Sequence, residues 1–281
     1  MGDTSAAVSH ARRGPFPKVN QLLLGGDDFL NTECLMPRHV SLVTGAASGI
    51  GLAIAQKFSR RGDAVVIADL NAQSGEAAAQ ALRDEGRQAL FVELNVAKRD
   101  SWAKALSETE KAFGLVDVLV NNAGVIRDRS LLKMSDEDWE LVVDVNLRGS
   151  WLGAQTVFPG MKSKGWGRIV NISSSAHRGG FGQANYSSAK AGIVGLTRTL
   201  AIEGAKNKIL VNAVAPHNVN TPILATVPEV DRQAWLSKSR FGRFAEPDEI
   251  ASVVNFLASD DNTVVSGQLI EADGADLVGA A

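Results

Sequence analysis

The sequence predicts an α/β fold in which one parallel sheet is covered by helices on both faces. Three observations lead there. From Val40 onward, short apolar, β-branched runs alternate with amphipathic helical stretches, which is the pattern of successive βαβ units. The first run, Val40-Ser41-Leu42-Val43, is cut off by Thr44-Gly45 and leads into the turn TGAASGIG, residues 44–51. The second run, Ala64 to Ala68, ends in Asp69, 18 residues after Gly51. Strand, glycine turn, helix, strand and acid in that order describe a doubly wound sheet of the Rossmann type, and about seven strands can be read along the chain.

In chain order, a helix is expected from Ile50 to Arg61 and another over 72–85, rich in Ala and Glu and stopping before Gly86. Gln88–Leu94 reads as the third strand, 100–113 as a helix, and Val116–Val120 as the fourth strand, closing on Asn121-Asn122-Ala123-Gly124. Ser135 is a good N-cap with Asp138 three residues on, so a long helix should run from Asp136 to Met161, interrupted or bent near Gly149 and Gly153. Arg168–Ile172 is the fifth strand, 184–204 a helix, Ile209–Val214 the sixth strand and Gln268–Glu271 the seventh. Residues 1–35 are small, polar and lightly basic, without the apolar core of a secretory signal. They are expected to be a loosely ordered extension ahead of a single domain, 36–281.

Composition narrows the function. Of 281 residues, 45% are apolar and 21% charged, enough for a sizeable core, and the formal net charge of −2 gives no reason to expect a nucleic-acid partner. No apolar run approaches the roughly 18 residues of a membrane span. A single cysteine, Cys34, fits a reducing compartment, and a cytoplasmic location is expected. The four histidines, His10, His39, His177 and His217, are scattered without a second ligand at helical spacing, so no metal site is expected.

The chemistry is carried by two stretches. In the glycine turn, Gly45, Gly49 and Gly51 let a ligand approach the backbone, and the helix that begins there points unpaired N–H groups and its positive dipole end at an anion such as a pyrophosphate. Asp69 can accept hydrogen bonds from ribose hydroxyls, although it could equally open a turn with Leu70 and Asn71. In the second stretch, the fifth strand ends in Ser173-Ser174-Ser175, and Tyr186 and Lys190 follow at i and i+4 on one helix face. An ammonium ~4 Å from a phenol at an effective dielectric of ~20 is worth about 4 kcal/mol, roughly three pKa units. That would bring a tyrosine from ~10 to near neutrality, where it could serve as a general acid and base.

Together TGAASGIG, NNAG, Asn146, Ser174 and Tyr186-x-x-x-Lys190 resemble the short-chain dehydrogenase/reductase family, in particular its 3-oxoacyl reductase-like members, from about residue 40 to the C-terminus. The resemblance implies a nicotinamide dinucleotide held by Gly45, Ser48, Gly49, Ile50, Gly51, Asp69, Leu70, Asn95, Val96, Asn122, Ala123, Gly124, Tyr186, Lys190, Pro216, Val219 and Thr221. It implies that Asn146 holds a relay water, Ser174 orients the substrate oxygen, Tyr186 is the acid/base, and Lys190 binds the ribose and acidifies the phenol. Asn95 replaces a common aspartate, and His217 replaces the glycine that usually follows Pro216; an outward-facing loop histidine is expected there. The serine-to-tyrosine interval is one residue short, which leaves Ser173 as a less favoured alternative to Ser174.

Asp69 should accept from a free 2′-hydroxyl and repel a 2′-phosphate, and neither Ser48 nor Leu70 offers a cation, so NAD(H) is the expected cofactor. The expected function is NAD(H)-dependent interconversion of a secondary alcohol and a ketone. One rival is an NADPH-dependent 3-oxoacyl thioester reductase; the other is a catalytically silent dinucleotide-binding regulator or scaffold. Residues 222–241, with Leu224, Val227, Val230, Trp235 and Leu236, could be an apolar lid, a helix packed on the core, or one packed on a neighbouring subunit. The resemblance also suggests a homotetramer paired through the helices 136–161 and 184–204.

Overall fold

The computed structural model describes residues 37–276 except 223, 225 and 226. The expected extension 1–35, with His10 and Cys34, lies outside the described residues. Seven parallel strands form one sheet in the order β3-β2-β1-β4-β5-β6-β7. They are β1 Val40–Thr44, β2 Ala64–Asp69, β3 Ala89–Glu93, β4 Val118–Asn121, β5 Gly167–Ile172, β6 Ile209–Pro216 and β7 Leu269–Ala272. The strand order reverses at β1/β4, and a crevice opens there at the C-terminal ends of the strands, where open α/β sheets take ligands.

The helices are α1 Gly49–Arg60, α2 Ala72–Asp84, α3 Arg99–Phe113, α4 Asp136–Val143, α5 Gly149–Lys164, α6 Ala184–Gly204, α7 Glu229–Leu236 and α8 Pro247–Leu257. Side chains alternate along each central strand, so two cores form, as a sheet covered on both faces requires. Val43, Val118 and Val120 pack with Ile54, Phe58, Leu82 and Val254 under α1, α2 and α8. Leu42, Leu119 and Ile169 pack with Trp102, Leu152, Met161 and Leu200 under α3, α5 and α6. Among the described residues, no helix is long and apolar enough to cross a membrane.

The long helix from Asp136 is interrupted beside Gly149, as expected: a π-helical turn, Asp144–Arg148, separates α4 from α5. Gly149 and Gly153 lie in regular α5, where their missing side chains admit neighbours: a Cβ on Gly153 would sit 2.6 Å from the Trp102 ring and 2.7 Å from Asn121 Oδ1. Within 222–241, α7 buries none of its residues, so it does not pack on the core; Leu224 alone of the five named apolar residues is buried.

Candidate active site

The crevice between β1 and β4 is closed at its base by side chain to backbone hydrogen bonds. Thr44 Oγ1 accepts from the N–H groups of Asn122 and Ala123, both at 3.0 Å, and Asn122 Nδ2 donates to the carbonyls of Thr44 at 2.9 Å and Gly45 at 3.0 Å. No larger residue fits this junction. A Cβ on Gly51 would lie 2.3 Å from Gly45 O and 2.5 Å from Asn122 Nδ2, and one on Gly45, whose φ is +62°, would lie 2.8 Å from the Ala123 Cα. Above it, Ser48 leads α1 in extended backbone without a side-chain cap, leaving the N–H groups of the first turn for an anion. Ile50 packs partly on the core, and Gly49 faces Thr221.

The other expected cofactor residues are strung along the same edge. Asp69 ends β2; its Oδ2 accepts from the Ala47 N–H and its Oδ1 from the Asn71 N–H, each at 3.0 Å. Both readings of this residue therefore meet in one carboxylate: it opens the turn, and each oxygen keeps a lone pair for a ribose hydroxyl. Leu70 beside it is exposed. Asn95 Oδ1 accepts from the Ala97 N–H at 3.1 Å, and Val96 is buried against Gly149. Gly124 leaves open the space where a Cβ would meet Asn146 Oδ1 at 2.6 Å. Pro216 ends β6, whereas the Val219 side chain belongs to the core. This cradle of glycines, helix N-terminus and Asp69 fits a dinucleotide.

At the far end, Asn146, Ser174, Tyr186 and Lys190 converge. The π-helical turn carries Asn146, fully buried, whose Nδ2 donates to the carbonyls of Val125 and Val142 at 2.9 Å; its Oδ1 has no partner among the described residues. A buried acceptor without a partner is costly, so that oxygen is suited to a donor entering the crevice. Asn185 holds the start of α6 by donating to the carbonyls of Arg127 and Asp138, and its Oδ1 accepts from the Tyr186 N–H. The Ser174 hydroxyl neighbours the Tyr186 phenol and favours its ionised form. Lys190 is buried, with its Nζ 5.5 Å from the centroid of the Tyr186 ring and donating to Ile172 O at 2.9 Å. Ser173 turns away and donates to Lys190 O at 2.9 Å, so Ser174 is the serine at the phenol.

The acidified phenol inferred from spacing is corrected. Burial pushes the Tyr186 pKa above its ordinary 10.0; the Ser174 hydrogen bond works against that rise, and the negative charge of Asp128 adds to it. Lys190 Nζ lies over the ring, and burial lowers its own pKa from 10.5 to about 8. Two residues were missed for their roles. Asp128, held by Gln183 Nε2 at 3.0 Å, acts on Tyr186 through space. His217 does not face outward: its Nδ1 shares a 2.7 Å hydrogen bond with Ser175 Oγ, beside Ser174. Neither has a local sequence signal, although the placement of His217 after Pro216 marked it as unusual.

Residues 45–274 match the family model described as Enoyl-(Acyl carrier protein) reductase. The subunit BbsD of (2S)-[(R)-hydroxy(phenyl)methyl]succinyl-CoA dehydrogenase from Thauera aromatica is 43% identical over 236 residues, 84% of this chain and 95% of that one. The 3-oxoacyl-[acyl-carrier-protein] reductase FabG of Thermotoga maritima is 42% identical, covering 84% and 96% of the two chains. The chain belongs to the short-chain dehydrogenase/reductase family. Like other short-chain dehydrogenase/reductases it is an oxidoreductase with a Rossmann-like sheet, and the crystal structure of gox2181 superposes on it with a TM-score of 0.83 at 35% identity, covering 86% of this chain and 96% of that one.

Proposed function

We propose that the protein interconverts a secondary alcohol and a ketone with NAD(H). The observation that carries this reading is the convergence of Ser174, Tyr186 and Lys190 beside the glycine turn and Asp69. A nicotinamide dinucleotide in that crevice supplies or takes the hydride. The protein's part is to hold and protonate one oxygen. Ser174 and Tyr186 donate to the carbonyl oxygen, Tyr186 passes its proton to the developing alkoxide, and in the other direction it removes the hydroxyl proton. Lys190 and the Asn146 Oδ1 line the path by which that proton is replaced. A phenol kept neutral by burial is suited to the donating, reductive direction.

Asp69 supports NAD(H), because a 2′-phosphate would meet a carboxylate already anchored at Ala47 and Asn71. The second reading, 3-oxoacyl thioester reduction with NADPH, is favoured by the FabG relatives, and the thioester named for BbsD points to the same substrate class. Acetoacetyl-CoA, 3-hydroxybutyryl-CoA and simple secondary alcohols and ketones, each assayed with both cofactors, separate the two. Turnover with NAD(H) supports the first reading. Turnover confined to acetoacetyl-CoA with NADPH supports the second, and no dinucleotide-linked turnover contradicts both.

The quaternary state belongs to the same proposal. Trp139 and Leu141 on α4, Trp151 on α5 and Ile202 on α6 are exposed apolar residues suited to pairing copies into a homotetramer. Light scattering should then give four times the 29.7 kDa chain mass.

A further inference from the structure

Ser174 is followed by a 3-10 turn, residues 175–178, which runs directly into Gly179-Gly180-Phe181-Gly182. With φ of +109° at Gly179 and +79° at Gly182, that stretch takes backbone conformations that favour glycine. Support comes across the sheet edge. Ser175 Oγ shares its 2.7 Å hydrogen bond with His217 Nδ1, just past the end of β6. On β7, Glu271 Oε1 accepts from His177 Nε2 at 2.8 Å and from the Arg178 guanidinium at 3.0 Å. Glu271 lies beside Ala215 in the β6–β7 ladder, and the His217 N–H donates to Ala272 O, so both bridges rise from one rigid pair of strand ends. The His177 and Glu271 side chains are only 17% and 26% exposed, where a charge-assisted hydrogen bond is weakly screened. Within the turn, Ser174 Oγ accepts from the Ala176 N–H and Ser174 O from the His177 N–H, which couples the serine to the bridged residues.

We propose that Glu271 and His217 are positioning residues for carbonyl chemistry: they clamp the 175–178 turn to the β6/β7 edge and so hold the Ser174 hydroxyl at Tyr186. The inference rests on the Ser174–Tyr186–Lys190 reading given above. Neither residue touches the phenol, and both act through the turn.

Amide hydrogen exchange on the full chain reads the clamp without any substrate. In Glu271→Leu and His217→Gly, exchange over 175–179 should rise by about tenfold while the segment 40–60 keeps its wild-type rate; unchanged exchange over 175–179 in both variants overturns the clamp. Reduction of whichever ketone or thioester of the panel above the wild type turns over reads the consequence. Glu271→Leu should lower kcat about tenfold with dinucleotide Kd unchanged, and Glu271→Gln, which keeps an acceptor oxygen, should recover most of it. Added to Ser174→Ala, Glu271→Leu should cost less than about twofold more, because its partner in the effect is gone; an equal tenfold drop in both backgrounds overturns the positioning role. A wild-type chain no faster than Tyr186→Phe would instead overturn the redox reading, and the positioning role with it, leaving the exchange result to stand as structure.

Discussion

Residues 44–51 and residues 173–178 both leave a strand at the same edge of the sheet, yet they are held by different means. The first segment is fixed largely by backbone geometry: glycines pressed against Asn122 and Ala123, and Thr44 bonded to two N–H groups. The second is fixed by side chains reaching from far along the chain, His217 at 42 residues from Ser175 and Glu271 at 94 from His177. On the proposed function, the difference teaches where each half of the reaction is specified. A dinucleotide wall made of backbone leaves little room for substitution, whereas a substrate wall made of side-chain bridges can be retuned residue by residue.

The largest effect should come from forcing a side chain into the rigid wall. Gly51→Ala must displace Gly45 O and Asn122 Nδ2, at a cost of about 3 kcal/mol. A lowered denaturant midpoint together with weakened dinucleotide binding is expected, and an unchanged variant would show that wall to be adaptable. A comparable energy is stored at the other wall. With Lys190 lowered from 10.5 to about 8, the unfolded chain binds more protons than the folded one between those values. Burial of the ammonium therefore costs about 3 kcal/mol below pH 8, and the cost fades as pH rises toward the unfolded pKa. Lys190→Met removes the titrating group, so its Tm minus that of wild type should be larger at about pH 7 than at about pH 10. A constant difference would contradict the burial of a charged lysine.

Smaller effects sharpen the comparison. Asp69→Ala should narrow the ratio of NAD to NADP kcat/KM by about tenfold, the contribution of one hydrogen bond to a charge, and an unchanged ratio would remove Asp69 from cofactor choice. Smallest of all, Asp128→Asn should lower the pKa of Tyr186 while keeping an acceptor for Gln183. Tyr186 is the only tyrosine of the chain, so tyrosinate absorbance reads it directly. The wild-type midpoint should lie above the ordinary 10.0, and a variant titrating higher than wild type would contradict the sign assigned to Asp128.

The backbone wall was legible in the sequence because each of its parts is local. The turn 44–51, Asp69 at the end of β2 and the helix Ala184–Gly204 stand where periodicity and punctuation put them. Spacing also brought Tyr186 and Lys190 to one face. It could not show that the ammonium would lie over the ring, bonded to Ile172 O, or that burial would outweigh attraction at the phenol. Gly149 and Gly153 marked an interruption of the long helix, but not that it would be a π-helical turn carrying Asn146, nor that the glycines themselves would serve close packing. The bridges to His177 and Ser175 depend on β6 and β7 lying side by side, a tertiary fact that no local pattern encodes.

The account turns on one proton held by one phenol, and Tyr186→Phe tests it most directly. Dinucleotide binding to the variant, followed by fluorescence, should match wild type, while turnover of whichever alcohol or ketone the wild type uses falls by about 10²–10⁴. Wild-type turnover in the variant would contradict the account.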